Sequence, residues 1–419
     1  MSRHNKILAF LFVSFLLVYE FSVYIANDMI MPAMINIVKE FAVPDSFIGS
    51  SLSIFVLGGA TLQILLGPLS DRYGSRKIML GGVLLFLLAT VFNGLSNNIE
   101  EFLLFRFLQG MGICFIGVIG YAKIQQMFEE KQAVKIISIM TTVSIIAPLI
   151  GPLAGSLFLE YYEWRGINLI IASFTLVSLV GLYFYFPKDK VFAKDLKHEK
   201  SNENFFVETF NKYKLLIKNK KFIFGVLAFA FAEIPIIIWI ALSPLMLIRK
   251  SELTRIEYSM YQIPVFGSFI IGVILLQILI KKYDLEVLIK IGSFFIGLAL
   301  LSSFLFSILL DQHYLVIVIS FSLYSLGLGI VSSPINRLTL FSSDLAKGMV
   351  SALFSVILIV CLSIGTEFAN YIYTGLNNIK LTGFLSVLFF FYLFSLYFFV
   401  NLKQPESKNV TLPKKAIGS

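Results

Sequence analysis

"GPLSDRYGSRK", residues 67–77, is a short polar turn set between two long apolar runs. Gly67 closes the first run. Asp71 follows four residues later, then Arg72, a second glycine at Gly74, and the bases Arg76 and Lys77. Each flanking run is about 20 residues long, the length that crosses a bilayer core as α-helix. Such blocks recur along the whole 419-residue chain, which is 58% hydrophobic and 14% charged. Soluble domains are nearer 45–50% apolar and about 25% charged. Runs this long and unbroken also differ from the alternating strands of a membrane barrel. The fold class expected is therefore an all-α polytopic membrane protein.

Twelve transmembrane helices are expected, over 7–36, 46–70, 77–96, 101–128, 134–159, 166–187, 222–248, 256–280, 286–309, 313–339, 347–374 and 381–402. The first block is too long for the apolar core of a secretory signal and has no small-residue cleavage site after it, so it reads as a retained span. One long polar interval, 188–221, carries ten lysines and two half-helical patches around Phe205–Phe210. It divides the chain into a six-helix bundle (1–187), a basic cytoplasmic linker (188–221), a second six-helix bundle (222–402) and a cytoplasmic tail (403–419). A weak echo links the halves: "LSDRYGSRKIMLGG" (69–82) and "IKKYDLEVLIKIG" (280–292) align Tyr73 with Tyr283 and Gly82 with Gly292, 210 residues apart. Two pseudo-symmetric halves around a central cavity is a transporter design.

Lysine and arginine set the orientation. With the N-terminus inside, cytoplasmic segments hold 26 of the 34 basic residues, and the outer loops hold Lys39, Arg165, Arg249, Lys250, Arg255 and Lys380. Both termini are expected in the cytoplasm. The net charge of +9 is then a topology signal facing anionic lipid, and no nucleic-acid partner is implied. Cys114 and Cys361 lie in apolar runs and read as small buried hydrophobes. There is no metal-ligand spacing, and His4, His198 and His313 fall in tails or loops. No nucleotide-binding glycine loop or catalytic constellation suggests an enzyme, and no cofactor is expected.

The turn at 67–77 suits a charge latch. Gly67 would let a neighbouring helix approach closely. Asp71 would face the positive N-terminus of a partner helix. Arg72 and Arg76 would pair across the cytoplasmic seam, and such pairs can break and re-form between two domain arrangements. The turn resembles the signature between helices two and three of the major facilitator superfamily, with Ser75 standing where an arginine is usual. "RFLQG", Arg106 to Gly110, resembles that superfamily's conserved-arginine motif and includes Gln109. "APLIGPLAG", Ala147 to Gly155, resembles the antiporter motif of drug/proton exchangers. Pro148 and Pro152 each remove a helix hydrogen bond, and Gly151 and Gly155 share one face and permit close packing.

"YEFSVYIANDMIMPAM" (19–34), "CFIGVIGYAKIQ" (114–125) and "NRLTLFSSDLAKGMVSA" (336–352) resemble MdfA-type multidrug/proton antiporters within that superfamily. The resemblance implies proton-driven export of lipophilic compounds, often cationic, from the bacterial inner membrane by a monomer. It also implies that Glu20 and Asp28 are the proton and substrate carboxylates, with Arg106 as a coupled partner, and that the proton is the coupling ion.

Six ionisable residues fall well inside the expected spans: Glu20, Asp28, Arg106, Lys123, Glu233 and Glu367. Each costs roughly 2.5–3.5 kcal/mol at mid-membrane, so their retention points to function. Glu20, Tyr24, Asn27 and Asp28 follow i, i+4, i+7, i+8 spacing and share a face that should line the cavity. Asp28 lies roughly 12 Å and Arg106 roughly 8 Å from the outer face, so a direct pair is expected. Glu20, roughly 12 Å deeper, is a lone carboxyl suited to proton exchange. Lys123 and Glu233 differ in depth by roughly 9 Å. They form a cross-cavity ion pair or alter substrate preference; alternatively, Lys123 snorkels to the cytoplasmic interface. Glu367 reads as structural. Arg337, Asp344 and Lys347 flank the turn between helices ten and eleven as gate or topology charges. Candidate apolar walls are Met29, Cys114 and Tyr121 from the first half, with Ile238, Trp239, Tyr261 and Phe266 from the second. Rival readings are a dedicated exporter of one metabolite or siderophore, which Lys123 would favour, and a proton-coupled nutrient importer.

Overall fold

The structure, a computed structural model, describes residues 3–187, 213–309, 313–343, 345, 347–374 and 376–402. The Phe205–Phe210 patches, most of the linker, the tail and Asp344 lie outside the described residues, as do the side chains of Asp71 and Lys347. The chain is all-helical. Eleven helices among the described residues are long and apolar enough to cross a membrane. They are α1 (Ile7–Glu40), α2 (Ser46–Gly67), α3 (Ser75–Gly94), α4 (Ile99–Met127), α6 (Trp164–Tyr185), α7 (Lys220–Lys250), α8 (Arg255–Leu279), α9 (Leu285–Leu309), α10 (Tyr314–Leu340), α11 (Met349–Ile372) and α12 (Asn378–Asn401). A further helix, α5 (Glu130–Phe158), includes the shorter apolar stretch Ile146–Phe158 and runs on through Pro148 and Pro152.

Two spans depart from the continuous helices expected. In α1 the α-helix stops at Asp28, a 3-10 turn covers Met31–Ala33, and helix resumes over Met34–Glu40. Pro32 in that turn has no N–H and cannot carry the i→i−4 ladder onward. In α4 the helix breaks after Gly110, and a π-helical turn over Ile116–Gly120 precedes Tyr121–Met127. This stretch contains Gly110, Gly112, Gly117 and Gly120, and glycine is a weak helix former. Both irregularities sit beside the candidate charges: Asp28 ends one segment and Tyr121 begins another.

Helix α1 packs on α5 and α6, α2 on α4, and α3 on α4 and α6; α8 and α9 pack on α10, and α7 on α10, α11 and α12. Close backbone crossings occur in matching places. A Cβ at Gly58 would collide with Phe107 O, and one at Gly110 with Phe55 O, where α2 meets α4. A Cβ at Gly272 would collide with Leu326 O, and one at Gly329 with Phe269 O, where α8 meets α10.

The first six helices meet the last six mainly along α2–α11, α5–α8 and α2–α7. Several polar bridges tie them at the end opposite the chain termini. Arg249 Nε lies 3.2 Å from Asp45 Oδ2. Ser50 donates to Glu367 Oε1 at 2.8 Å, and Asn370 donates to Ser46 O at 2.6 Å. Ser259 donates to Pro152 O at 2.9 Å, and its hydroxyl lies 2.8 Å from that of Ser156. Glu367 thus ties α11 to α2.

The antiporter-like stretch has a clear packing role. Gly151 lies against Asp28, where a Cβ would stand 2.5 Å from Asp28 Cβ, and Gly155 lies against Met29 O. Both press α5 onto the point where α1 loses its α-helical form. Gly67 is different: a Cβ there meets nothing within 4 Å, so the close helix approach expected at Gly67 is not present. Gly155→Ala should therefore destabilise the protein by about 1–3 kcal/mol through overpacking, whereas Gly67→Ala should stay within about 0.5 kcal/mol. Thermal melting of the two variants in detergent checks the contrast. Equal melting temperatures would contradict it.

Candidate functional site

The site begins on α1. Glu20 is fully buried, with 0% exposure. Tyr121 donates to its Oε1 at 2.6 Å, while its Oε2 is buried with no hydrogen-bond partner among the described residues. Tyr121 comes from the first residue after the π-helical turn of α4. It is therefore a hydrogen-bond donor to the acid, where an apolar wall was expected. The carboxyl has one anchored oxygen and one free one, so a proton or a cation can occupy the free oxygen without breaking the Tyr121 bond.

One turn beyond Tyr24, the second acid sits in a chain of hydrogen bonds. Arg106, 1% exposed, donates to Asn27 Oδ1 at 2.6 Å, and to Ala26 O, Gln109 Oε1 and Ser51 Oγ at 3.3 Å each. Its guanidinium also lies 4.5 Å from the Phe55 ring centroid. Asn27 in turn donates to Asp28 Oδ1 at 3.2 Å. No direct Asp28–Arg106 ion pair occurs among the described residues. The expected pair is corrected to an Asp28–Asn27–Arg106 relay, because Asn27 stands nearer the guanidinium at the same depth. Gln109 extends the network by donating to Thr90 Oγ1 at 3.0 Å. Four acceptors and an aromatic face offset the cost of burying this cation.

Lys123 and Glu233 do not pair. Lys123 Nζ lies 3.4 Å from Ser75 Oγ and 5.8 Å from the Phe186 ring, within the first six helices. Its amine reaches the 67–77 turn while the side chain stays buried. Glu233 accepts from Ser332 Oγ at 2.8 Å, across α7 and α10. The two charges, roughly 9 Å apart in depth, point to different neighbours.

Most expected cavity walls are packed interior instead. Cys114 Sγ lies 2.9 Å from Gly59 O in the α2–α4 crossing. Ile238 is fully buried, as is Trp239, which donates to Gln262 Oε1 at 2.7 Å; Met29 and Phe266 are also buried. The Tyr261 hydroxyl lies 3.4 Å from that of Tyr314, joining α8 to α10. In the 67–77 turn, Gly74 takes φ 92°, a conformation suited to glycine, and its N–H bonds Ser70 O. Arg76 donates to Tyr183 O on α6 of the same half. Arg72 is exposed and lies over its neighbour Tyr73, and no cross-seam partner for Arg72 occurs among the described residues. At the end of α10, Arg337 lies over Phe341 at 5.6 Å. The partners that depth and motif reading missed are Ser332, Ser51, Thr90 and the serine pair Ser156–Ser259. All are small hydroxyls on apolar helices, and nothing in their spacing marks them.

The sequence profile described as Major Facilitator Superfamily matches residues 16–369. A multidrug transporter MdfA from Escherichia coli O6:H1 is 36% identical over 376 residues, covering 88% of each chain. One from Edwardsiella ictaluri is 39% identical over 367 residues, covering 87% of each. Among solved structures, a D-xylose–proton symporter superposes with a TM-score of 0.71 at 14% identity, covering 94% of this chain and 98% of that one. The xylose transporter XylE from Escherichia coli, in a partially occluded inward-open form, gives 0.68 at 14% identity, covering 96% and 99%. At that identity the structural likeness concerns the fold.

Proposed function

The chain belongs to the major facilitator superfamily, and from that premise we propose that it is a proton-coupled antiporter exporting lipophilic cations by alternating access. The observation that carries the reading is Glu20: a fully buried carboxyl with one oxygen held by Tyr121 and the other without a partner among the described residues. A proton and a cation compete for that oxygen, so binding of one releases the other. Asp28 and Asn27, on the α1 face of Glu20, form a polar relay with Arg106 of α4, and Gly151 presses α5 against Asp28. Relative movement of α1 and α5 would therefore be felt at the relay. In this reading both termini are cytoplasmic, the two six-helix halves rock about the seam, the proton is the only coupling ion, no cofactor takes part, and a monomer is the working unit.

The relatives' name, multidrug transporter, supports a broad range of small-molecule substrates. An anionic or zwitterionic substrate is the alternative that Lys123 favours; that amine lies beside Ser75 and Phe186. The test is ethidium transport by the purified full chain in proteoliposomes under an imposed proton gradient. Accumulation that collapses with a protonophore is the expected result. Accumulation indifferent to the gradient would overturn the reading.

A further inference from the structure

The second half of the chain repeats the carboxylate–hydroxyl arrangement of the first. Glu20 on α1 accepts from Tyr121 on α4 at 2.6 Å, and Glu233 on α7 accepts from Ser332 on α10 at 2.8 Å. The two acids are 213 residues apart and the two hydroxyl residues 211, close to the 210 that separate Tyr73 from Tyr283 and Gly82 from Gly292. The reciprocal glycine crossings of α2–α4 and α8–α10 repeat in the same sense. Helices one and four of each half thus carry one acid and one hydroxyl, with Ser332 three residues beyond the crossing glycine Gly329 and Tyr121 eleven beyond Gly110.

The two acids also point in corresponding directions. On α1, Phe15 stacks on Tyr185 and Phe21 packs on Phe174, both of α6. At about 100° per residue, Glu20 falls on the opposite side of α1. On α7, Phe224 stacks on Phe398 and Phe231 on Phe391, both of α12. By the same rotation Glu233 falls on the opposite side of α7. Each acid therefore faces away from the last helix of its own half. The face of α7 that bears Glu233 is flanked by α10, through Tyr324 donating to Ala232 O, and by α11, where Ile234 packs on Gly365. Glu233 is half-buried and has no basic partner among the described residues.

Resting on the reading of Glu20 as the cation-exchanging carboxylate, we propose that Glu233, seated by Ser332, is a second cation-binding carboxylate contributed by the other half, and that it takes the second charge of lipophilic dications. A ligand with one positive charge needs only one such group. A ligand with two would otherwise bury an uncompensated charge in an apolar surround, at a large cost.

Ethidium and propidium separate these cases. They share one phenanthridinium ring, and propidium adds a quaternary ammonium on a propyl arm. Binding of each dye to the purified full chain in detergent is followed by fluorescence for wild type, Glu20→Gln, Glu233→Gln and Ser332→Ala. Glu233→Gln should weaken propidium about tenfold more than it weakens ethidium, and Ser332→Ala should shift the ratio in the same direction by less. Equal effects on both dyes, or no effect on either, would overturn the proposal. If Glu233→Gln does not yield a monodisperse protein, an unchanged propidium-to-ethidium ratio in Ser332→Ala overturns it. Wild-type ethidium binding that is unaffected by Glu20→Gln refutes the antiporter reading itself, and that outcome is read independently of the dye ratio.

Discussion

In proteoliposomes, Glu20→Gln should reduce gradient-driven ethidium accumulation to the level of protein-free vesicles, a loss of at least about tenfold, or ~1.4 kcal/mol. Glutamine has nearly the shape of glutamate, and its amide oxygen can still accept from Tyr121, which lies 2.6 Å from Glu20 Oε1. The substitution removes only the ability to exchange a proton and to neutralise a cation. Folding should be preserved, because the variant leaves no buried charge behind. A transporter that merely uses Glu20 as a structural acid would keep its activity. Ethidium accumulation at the wild-type level, still collapsed by a protonophore, would contradict the assignment.

The second large effect concerns Arg106. Its guanidinium holds Asn27, Ala26 O, Gln109 and Ser51, and its plane faces Phe55. Arg106→Ala leaves those acceptors in a dry interior and removes the cation that Asp28 senses through Asn27. Breaking a buried charged network of this kind costs about 3–5 kcal/mol. The expected result is a clear fall in melting temperature in detergent together with loss of transport. Arg106→Lys keeps the charge but not the planar fork, so it should fall between wild type and Arg106→Ala. An Arg106→Ala protein that melts with the wild type would show that the network contributes little to the fold.

Much of this architecture could be read from the chain itself, and particular residues show where the reading stopped. Bilayer thickness sets the length of each apolar block, so the helices were legible from Ile7 to Asn401. The interruptions were harder. Pro32 and the glycines of α4 are weak helix formers, yet Pro148 and Pro152 lie within an unbroken α5, so composition alone does not say where a span breaks. The periodicity of Glu20, Tyr24, Asn27 and Asp28 placed them on one face. Depth arithmetic put Asp28 and Arg106 at one level, but depth says nothing about rotation around the helix axis. That rotation gives Arg106 to Asn27, Lys123 to Ser75 and Glu233 to Ser332. Ser332 was hidden for a further reason: a serine within an apolar helix commonly bonds its own backbone, and the single Ser332 hydroxyl proton is shared between Leu328 O and Glu233 Oε1, each 2.8 Å away. Sequence alone reads Tyr121 as an apolar wall, because only the folded chain shows where its hydroxyl ends.

The central claim is that a cation and a proton exclude each other at Glu20. Adding ethidium to the purified protein in weakly buffered detergent solution, with a pH indicator present, measures this without a membrane or a gradient. Wild type should release protons as ethidium binds, and Glu20→Gln should release none. Release of equal size from both proteins would contradict the account.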